Sequence, residues 1–256
     1  MIKKDQIILV DQDVPVLAML LVDGGHVIFD DTRDIHLQAE HILIVNNGSF
    51  EIGSRGKRYQ HKALVTLHGH VRSKELPVYG AKSLSLRSGY LGLHGRHVVN
   101  TWTRLANTVD PGATSLVVTV AVPDWRTGDE IVIASTSKSI RENEVVFIQS
   151  VSGDGKIFSF APPLKYKHVA LTQQIAGRVI ETSAEVGLLT RNIVIRGSRH
   201  KDWDDGVIEA CSVEFDPDQF ATQTCFDGRY GEERAGDQFG VQIMVHSGHK
   251  GKGLFK

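Results

Sequence analysis

Apolar and polar residues alternate in short bursts along the first ninety or so positions, and a glycine interrupts each burst. Four segments share this grammar: 20–29 (LLVDGGHVIF), 42–52 (ILIVNNGSFEI), 64–71 (LVTLHGHV) and 84–93 (LSLRSGYLGL). Period-two alternation puts Leu20, Val22, Ile42, Ile44, Leu84 and Leu86 on one face and their neighbours on the other. The turn glycines Gly25, Gly48, Gly69 and Gly89 stand 23, 21 and 20 residues apart. A strand of four or five residues cannot bury an apolar face alone, whereas stacked coils bury a continuous inner column. The steady spacing predicts a right-handed parallel β-helix, with Gly and Asn at superimposed corners. An antiparallel sandwich of Gly-rich hairpins fits the same alternation.

From about Leu105 the grammar changes. Strands are expected at 114–120, 129–134, 144–149 and 156–160, joined by turn signals at Pro123-Asp124, Thr127-Gly128 and Ser152-Gly153-Asp154-Gly155. They predict a small antiparallel sheet or barrel inserted into the coil. Residues 192–197 and 239–245 return to coil grammar, and the polar stretch 198–236 between them reads as a long loop. The resulting division is 1–105 for the first coils, 106–185 for the insertion and 186–256 for the return. No amphipathic helix of useful length is visible.

Composition narrows the picture. With Lys plus Arg at 29 against Asp plus Glu at 30, no long-range field draws the chain to nucleic acid. The longest apolar run, Val14 to Val22, is broken by Pro15 and is too short to cross a membrane. The apolar run near the N-terminus is too short for a signal peptide, so a secreted product would take its leader from sequence outside this one. Two cysteines, Cys211 and Cys225, permit one local loop bridge or two buried free thiols.

Several side chains invite chemistry. His68 and His70 flank Gly69, while His94 and His97 flank Gly95. In a strand such pairs point one way and suit an ion, but at a coil corner they face solvent. Asp202, Asp204, Asp205, Glu209 and Glu185 are the acidic candidates. A polysaccharide hydrolase needs two opposed carboxylates, and a clustered acidic loop otherwise serves solvation or, as the one cation to consider, Ca²⁺. Arg191, Arg196, Arg199 and Lys201 form the most basic stretch, and an arginine fork matches a glycan carboxylate. Trp102 and Trp125 fit either sugar stacking or the core. Asn47-Gly48-Ser49 is an N-glycosylation sequon. No residue is assigned as catalytic, cofactor-binding or metal-binding.

The segments Leu20-Leu-Val-Asp-Gly, Ile42-Leu-Ile, Gly48-Ser-Phe-Glu-Ile-Gly53 and Leu67-His-Gly69 resemble the G8 domain, a glycine-rich β module of fibrocystin-type and hyaluronan-degrading cell-surface proteins. Six further blocks resemble the fibrocystin-L family: Leu76-Pro-Val-Tyr-Gly-Ala-Lys82, Leu93-His-Gly95, Thr101-Trp-Thr-Arg-Leu-Ala106, 128–136 (GDEIVIAST), 184–192 (AEVGLLTRN) and Gln219-Phe-Ala-Thr-Gln-Thr-Cys225. The resemblance implies an extracellular, membrane-anchored parent in which G8 domains precede β-helix repeats. The Trp- and Pro-rich opening of a G8 domain is missing, and the tail 248–256 departs from the family. The expectation is a non-catalytic structural or recognition module at the cell surface, with a glycan or protein ligand and no cofactor. The alternative is part of a hyaluronan-type polysaccharide-depolymerising enzyme.

Overall fold

The computed structural model describes residues 1–69, 73–198, 224–228, 231–235, 240–246 and 254–255. Nearly all regular structure is strand. The chain forms β1 (Ile2–Lys3), β2 (Ile7–Val10), β3 (Val14–Asp23), β4 (His26–Phe29), β5 (Ile35–Val45), β6 (Ser49–Ile52), β7 (Ala63–Leu67), β8 (Ser83–Arg87) and β9 (Tyr90–Leu93). It continues with β10 (Trp102–Arg104), β11 (Ser115–Val117), β12 (Glu130–Ile133), β13 (Glu144–Val151), β14 (Ile157–Ala161), β15 (Ala170–Ile175), β16 (Arg178–Ser183) and β17 (Glu185–Leu188). The remainder is β18 (Ile193–Gly197), β19 (Thr224–Gly228), β20 (Gly231–Ala235), β21 (Gln242–His246) and β22 (Leu254–Phe255). One 3₁₀ turn, Ile140–Glu142, is the helical element among the described residues. The chain divides into two compact units, Met1–Arg96 with Asn192–Lys256, and His97–Arg191.

The first unit is built from parallel strands that stack on strands distant in sequence. In one column Leu20 lies beside Ile42, Ile42 beside Leu84 and Leu84 beside Ile243. In a second, Ile8 lies beside Val27, Val27 beside Phe50 and Phe50 beside Leu91. In a third, Val14 lies beside Leu37, Leu37 beside Val65 and Val65 beside Ile195. The long strand β5 serves two columns, pairing its first half with β7 and its second with β8. All six positions assigned to one face by alternation are buried, and they join one core with Phe29, Phe50 and Ile52.

The corners explain which glycines matter. Gly25 and Gly48 pass carbonyl bonds to the corner above, Ser49 N–H donating to Gly25 O and Tyr90 N–H to Gly48 O, each at 2.9 Å. A Cβ on Gly48 would sit 2.7 Å from the Val22 carbonyl oxygen, and one on Gly89 would sit 2.7 Å from that of Gly48. Asn46 and Asn47 adopt the left-handed conformation, φ 52° and 64°, that Asn tolerates better than other side-chain-bearing residues. Gly69 is not a corner of this set. It follows β7, which stacks on the first half of β5, so the even spacing of four glycines overstates the regularity. From Leu20 to Ile42 the step is 22 positions, but from Ile42 to Leu84 it is 42.

One amide fastens the place where the chain leaves and re-enters this unit. Asn192 Nδ2 donates to Tyr59 O at 2.7 Å and to His61 O at 2.9 Å, while its Oδ1 accepts Arg96 N–H at 2.9 Å. A Cβ at position 95 would lie 2.5 Å from that oxygen, so a larger residue than Gly95 would push the amide from its bonds.

The second unit is an antiparallel sheet in the order β10-β17-β12-β13-β14-β11. Its end strands meet, with Ala106 N–H donating to Val117 O and Thr119 N–H to Arg104 O, so the sheet curls back on itself. Leu116, Trp125, Ile131, Ile133, Val146, Ile148, Phe158 and Val186 fill its interior. Trp125 is buried, its indole N–H donating to Asn100 O at 2.9 Å and its ring 5.6 Å from that of Phe158. The hairpin β15–β16, turning through Ala176-Gly177 with both φ positive, is largely exposed. It has no core stripe and no counterpart among the strands expected from hydrophobic pattern.

Replacing Gly48 by Ala is expected to destabilise the first unit by about 1–3 kcal/mol through overpacking at the corner. Gly56→Ala, where nothing lies within 4 Å, should move the urea midpoint little. Equal midpoints for the two variants would show that corner packing does not set stability.

Candidate functional site

Strand pairing places Gln38, Thr66 and Arg196 in one row across β5, β7 and β18, on the face turned away from the core. His36 and Leu64 lie on that face two residues before, and His68 two residues after. Thr66 is buried beneath its neighbours, whereas Arg196 is exposed. The Arg196 Nε–H donates to Thr66 Oγ1 at 3.3 Å, and His36 Nε2 lies 2.8 Å from the same hydroxyl. His68 Nε2 is 3.1 Å from Gln38 Oε1. Burial holds the His36 imidazole below its ordinary pKa, the Arg196 charge adds to this, and Asp13 opposes it. His68 is lowered in the same way by burial, His36 and Lys82, with Glu40 opposing. Asp13 Oδ1 also accepts the His36 backbone N–H at 2.8 Å. A cleft of about 170 Å³ beside this face is lined by Asp13, Asp34, His36, Lys62 and Leu64.

A larger cleft of about 310 Å³ lies near Asp30, Asp31, Glu51, Lys57 and Tyr59. Its acidic groups are already engaged. Asp31 accepts the backbone N–H of Gln60 and of His61 and the His61 Nδ1–H at 2.9 Å. Burial would raise the Asp31 pKa, yet these bonds leave it below the usual carboxylate value. Tyr59 donates to the carbonyls of Asp30 and Arg33, and burial together with Asp31, Asp34 and Asp30 pushes its phenol up to about 12. Ser49 donates to Glu51 Oε1 at 2.9 Å and accepts from His26 Nδ1 at 2.8 Å. A nucleophilic serine needs the reverse order, its proton passing to the imidazole.

In the second unit His168 is fully buried, with Nδ1 2.9 Å from Ala134 O and Nε2 3.0 Å from Glu144 Oε2. A carbonyl and a carboxylate oxygen thus flank the two ring nitrogens. Glu144 also accepts the backbone N–H of Lys165 and Tyr166 at 2.7 and 2.9 Å. Burial would raise its pKa, but the bonds from Lys165, His168 and Tyr166 leave it lowered.

Residues 1–106 match the family model of the G8 domain. Fibrocystin-L of Mus musculus is 51% identical over 249 residues, which is 96% of this chain and 6% of that protein. Fibrocystin-L of Homo sapiens matches with the same identity and coverage. Fibrocystin of Canis lupus familiaris is 34% identical over 200 residues, 77% of this chain and 5% of that protein. This segment belongs to the fibrocystin-L family. It spans about 6% of the length of the fibrocystin-L relatives it matches.

Within this fibrocystin-L-family segment the residues singled out by sequence part company. Arg196 projects from the sheet face, but the Arg191 Nη1 donates to Leu188 O and Thr190 O at 2.9 and 2.8 Å. Arg199, His70, Asp202, Asp204, Asp205, Glu209 and Cys211 lie outside the described residues, and Cys225 falls on β19. His94 is buried against the Tyr90 hydroxyl at 3.4 Å, and His97 is exposed. Among the described residues no group of three His, Cys, Asp or Glu is placed to hold a metal ion, and no helix is long and apolar enough to cross a membrane. Glu185 Oε1 lies 3.7 Å from the Arg104 guanidinium, which in turn stacks 5.6 Å from the Trp102 ring. Trp102 is exposed and Trp125 is core, so the two indoles have different roles. Asn47 is exposed, while Ser49 of its sequon is buried in the bonds to His26 and Glu51.

Sequence reading missed His36, Thr66 and Gln38. The signal was present in 35–40, where Ile, Leu and Ala alternate strictly with His, Gln and Glu. The pair Glu144 and His168 left no such trace, because the partners stand 24 positions apart with a second strand, β14, between them.

Glu144→Ala is expected to cost about 1–3 kcal/mol by leaving the backbone N–H groups of Lys165 and Tyr166 without their acceptor. Because the folded carboxyl has a depressed pKa, its contribution is present above the unfolded value of about 4.3 and fades as pH falls through the folded value. Thermal unfolding followed from neutral pH into acid should therefore show a shallower acid limb in Glu144→Gln than in the unsubstituted chain. Identical limbs would remove Glu144 as a source of acid sensitivity.

Proposed function

We propose that the segment is a non-catalytic recognition module of a larger extracellular or cell-surface protein. In this reading the parallel columns form a right-handed β-helix, interrupted by the antiparallel insertion as a small barrel. The division at 1–105, 106–185 and 186–256 belongs to the same reading. The ligand is a glycan or protein that meets the outward sheet face around Arg196, with Arg191 and Arg199 flanking it in sequence. The observation that carries the proposal is the exposed Arg196 guanidinium in a row with Gln38 and Thr66 on a face built from three stacked strands. A non-catalytic role is supported by the way Asp31, Glu51 and Glu144 are held by hydrogen bonds within the fold. In the secreted parent, Asn47 is a glycan acceptor and Cys211 and Cys225 form a loop bridge.

The competing activity, cleavage of a hyaluronan-type chain, is tested by incubating the protein with hyaluronan and following its size distribution. No shortening is expected. Shortening that disappears in Glu185→Gln or Asp204→Asn would replace the recognition role with catalysis. For the ligand face, Arg196→Ala is expected to weaken retention on an immobilised acidic glycan, with affinity in the unsubstituted chain falling as salt rises.

A further inference from the structure

The Thr66 hydroxyl lies between two side chains and has a single proton to give. Arg196 Nε–H always donates, so Thr66 Oγ1 accepts from it at 3.3 Å and turns its own proton elsewhere. At 2.8 Å the remaining partner is His36 Nε2, which receives that proton when the ring carries its one proton on Nδ1. A second proton on the imidazole reverses the bond. Nε2–H then donates to Thr66, and the hydroxyl proton needs a new acceptor next to the guanidinium. An oxyanion seated on Arg196 supplies it. We propose that Arg196, Thr66 and His36 form a cradle for the carboxylate or sulfate ester of an acidic sugar, and that the proton on His36 gates it. This rests on the recognition role proposed above and names the chemistry of its ligand.

The surroundings favour a sugar over an apolar peptide. The aliphatic side chains on this part of the face are Leu64 and Val194, both partly buried, enough for the C–H side of a pyranose. Gln38 and His68 add amide and imidazole groups for hydroxyls. The charged groups around His36 balance in a way that leaves its proton optional. Arg196 on β18 opposes protonation and Asp13, just before β3, favours it, while His36 is itself among the causes that lower His68, just after β7. Lys62 and Asp34 line the adjoining cleft with it, Glu40 lies further along β5, and Lys82 acts on the neighbouring His68. Burial tips the neutral form ahead near neutrality. Because linkage is reciprocal, acid tightens the anion and the anion holds the proton.

The 256-residue chain would be titrated calorimetrically with a uronate oligosaccharide, a sulfated oligosaccharide and a neutral one, at neutral pH and at about one unit below the ordinary imidazole value. The acidic sugars should bind about tenfold more tightly in acid, the tighter of the two identifying the oxyanion, and the neutral sugar should not follow. Acid acts on groups other than His36 as well, so the deciding comparison is His36→Gln, which keeps a hydrogen-bonding side chain and cannot take the proton. Its affinity should change less than about threefold between the two pH values, with an unchanged melting temperature showing that it folds. A full acid effect in His36→Gln overturns the gate while leaving the recognition face standing. Undiminished binding by Arg196→Ala overturns the face itself. Equal affinity for neutral and acidic sugars, or binding of none, overturns the cradle while a protein ligand for the face survives.

Discussion

A strand of four residues has too little apolar surface to stay folded by itself, and every part of the first unit answers to that constraint. Leu20, Ile42 and Leu84 become a core because the strand beside each covers what its own strand cannot. Such stacking demands that corners superimpose, which is why the Gly48 backbone carries both a carbonyl bond and a contact too close for a side chain. It also leaves a second, outward row of side chains in register from strand to strand. Gln38, Thr66 and Arg196 come together for that reason, although 158 positions separate the first from the last. The candidate site is thus a by-product of the packing requirement on the opposite face.

Two carboxylates within the fold hold loops. Asp31 gathers the backbone N–H groups of Gln60 and His61, and Glu144 gathers those of Lys165 and Tyr166, each with a histidine completing the set. Buried carboxylates arranged in this way anchor irregular chain that has no strand partner of its own. The outward row differs in that its hydroxyl has alternative donors and acceptors within reach.

What could be read in advance follows from period and range. Inward positions such as Val22, Ile44 and Leu86 were legible because alternation is a property of neighbouring residues. The antiparallel strands 130–133, 144–151 and 157–161 were legible because turn signals bracket them. Gly69 misled because spacing along the chain does not say which column a turn closes, and the long excursion within 41–83 happened to hold a glycine midway. The hairpin 170–183 escaped because a largely exposed ribbon carries no apolar pattern. Of the site, Arg196 stood out as a charge, whereas His36 and Thr66 owe their meaning to strand register, which no local pattern contains.

The Asn192 amide has a further consequence for how such a chain can change. With Arg96 and Asn192 tied to one another and to the loop at 59–61, the first unit receives its two chain ends side by side, as a loop of any length would deliver them. Whatever lies between them is a cassette. Insertions, deletions or wholesale exchange within 97–191 leave the strand stacking of the first unit formally undisturbed so long as Gly95 and Asn192 remain. A change in that cassette accordingly leaves the Gln38, Thr66 and Arg196 row, which belongs wholly to the first unit, in its register.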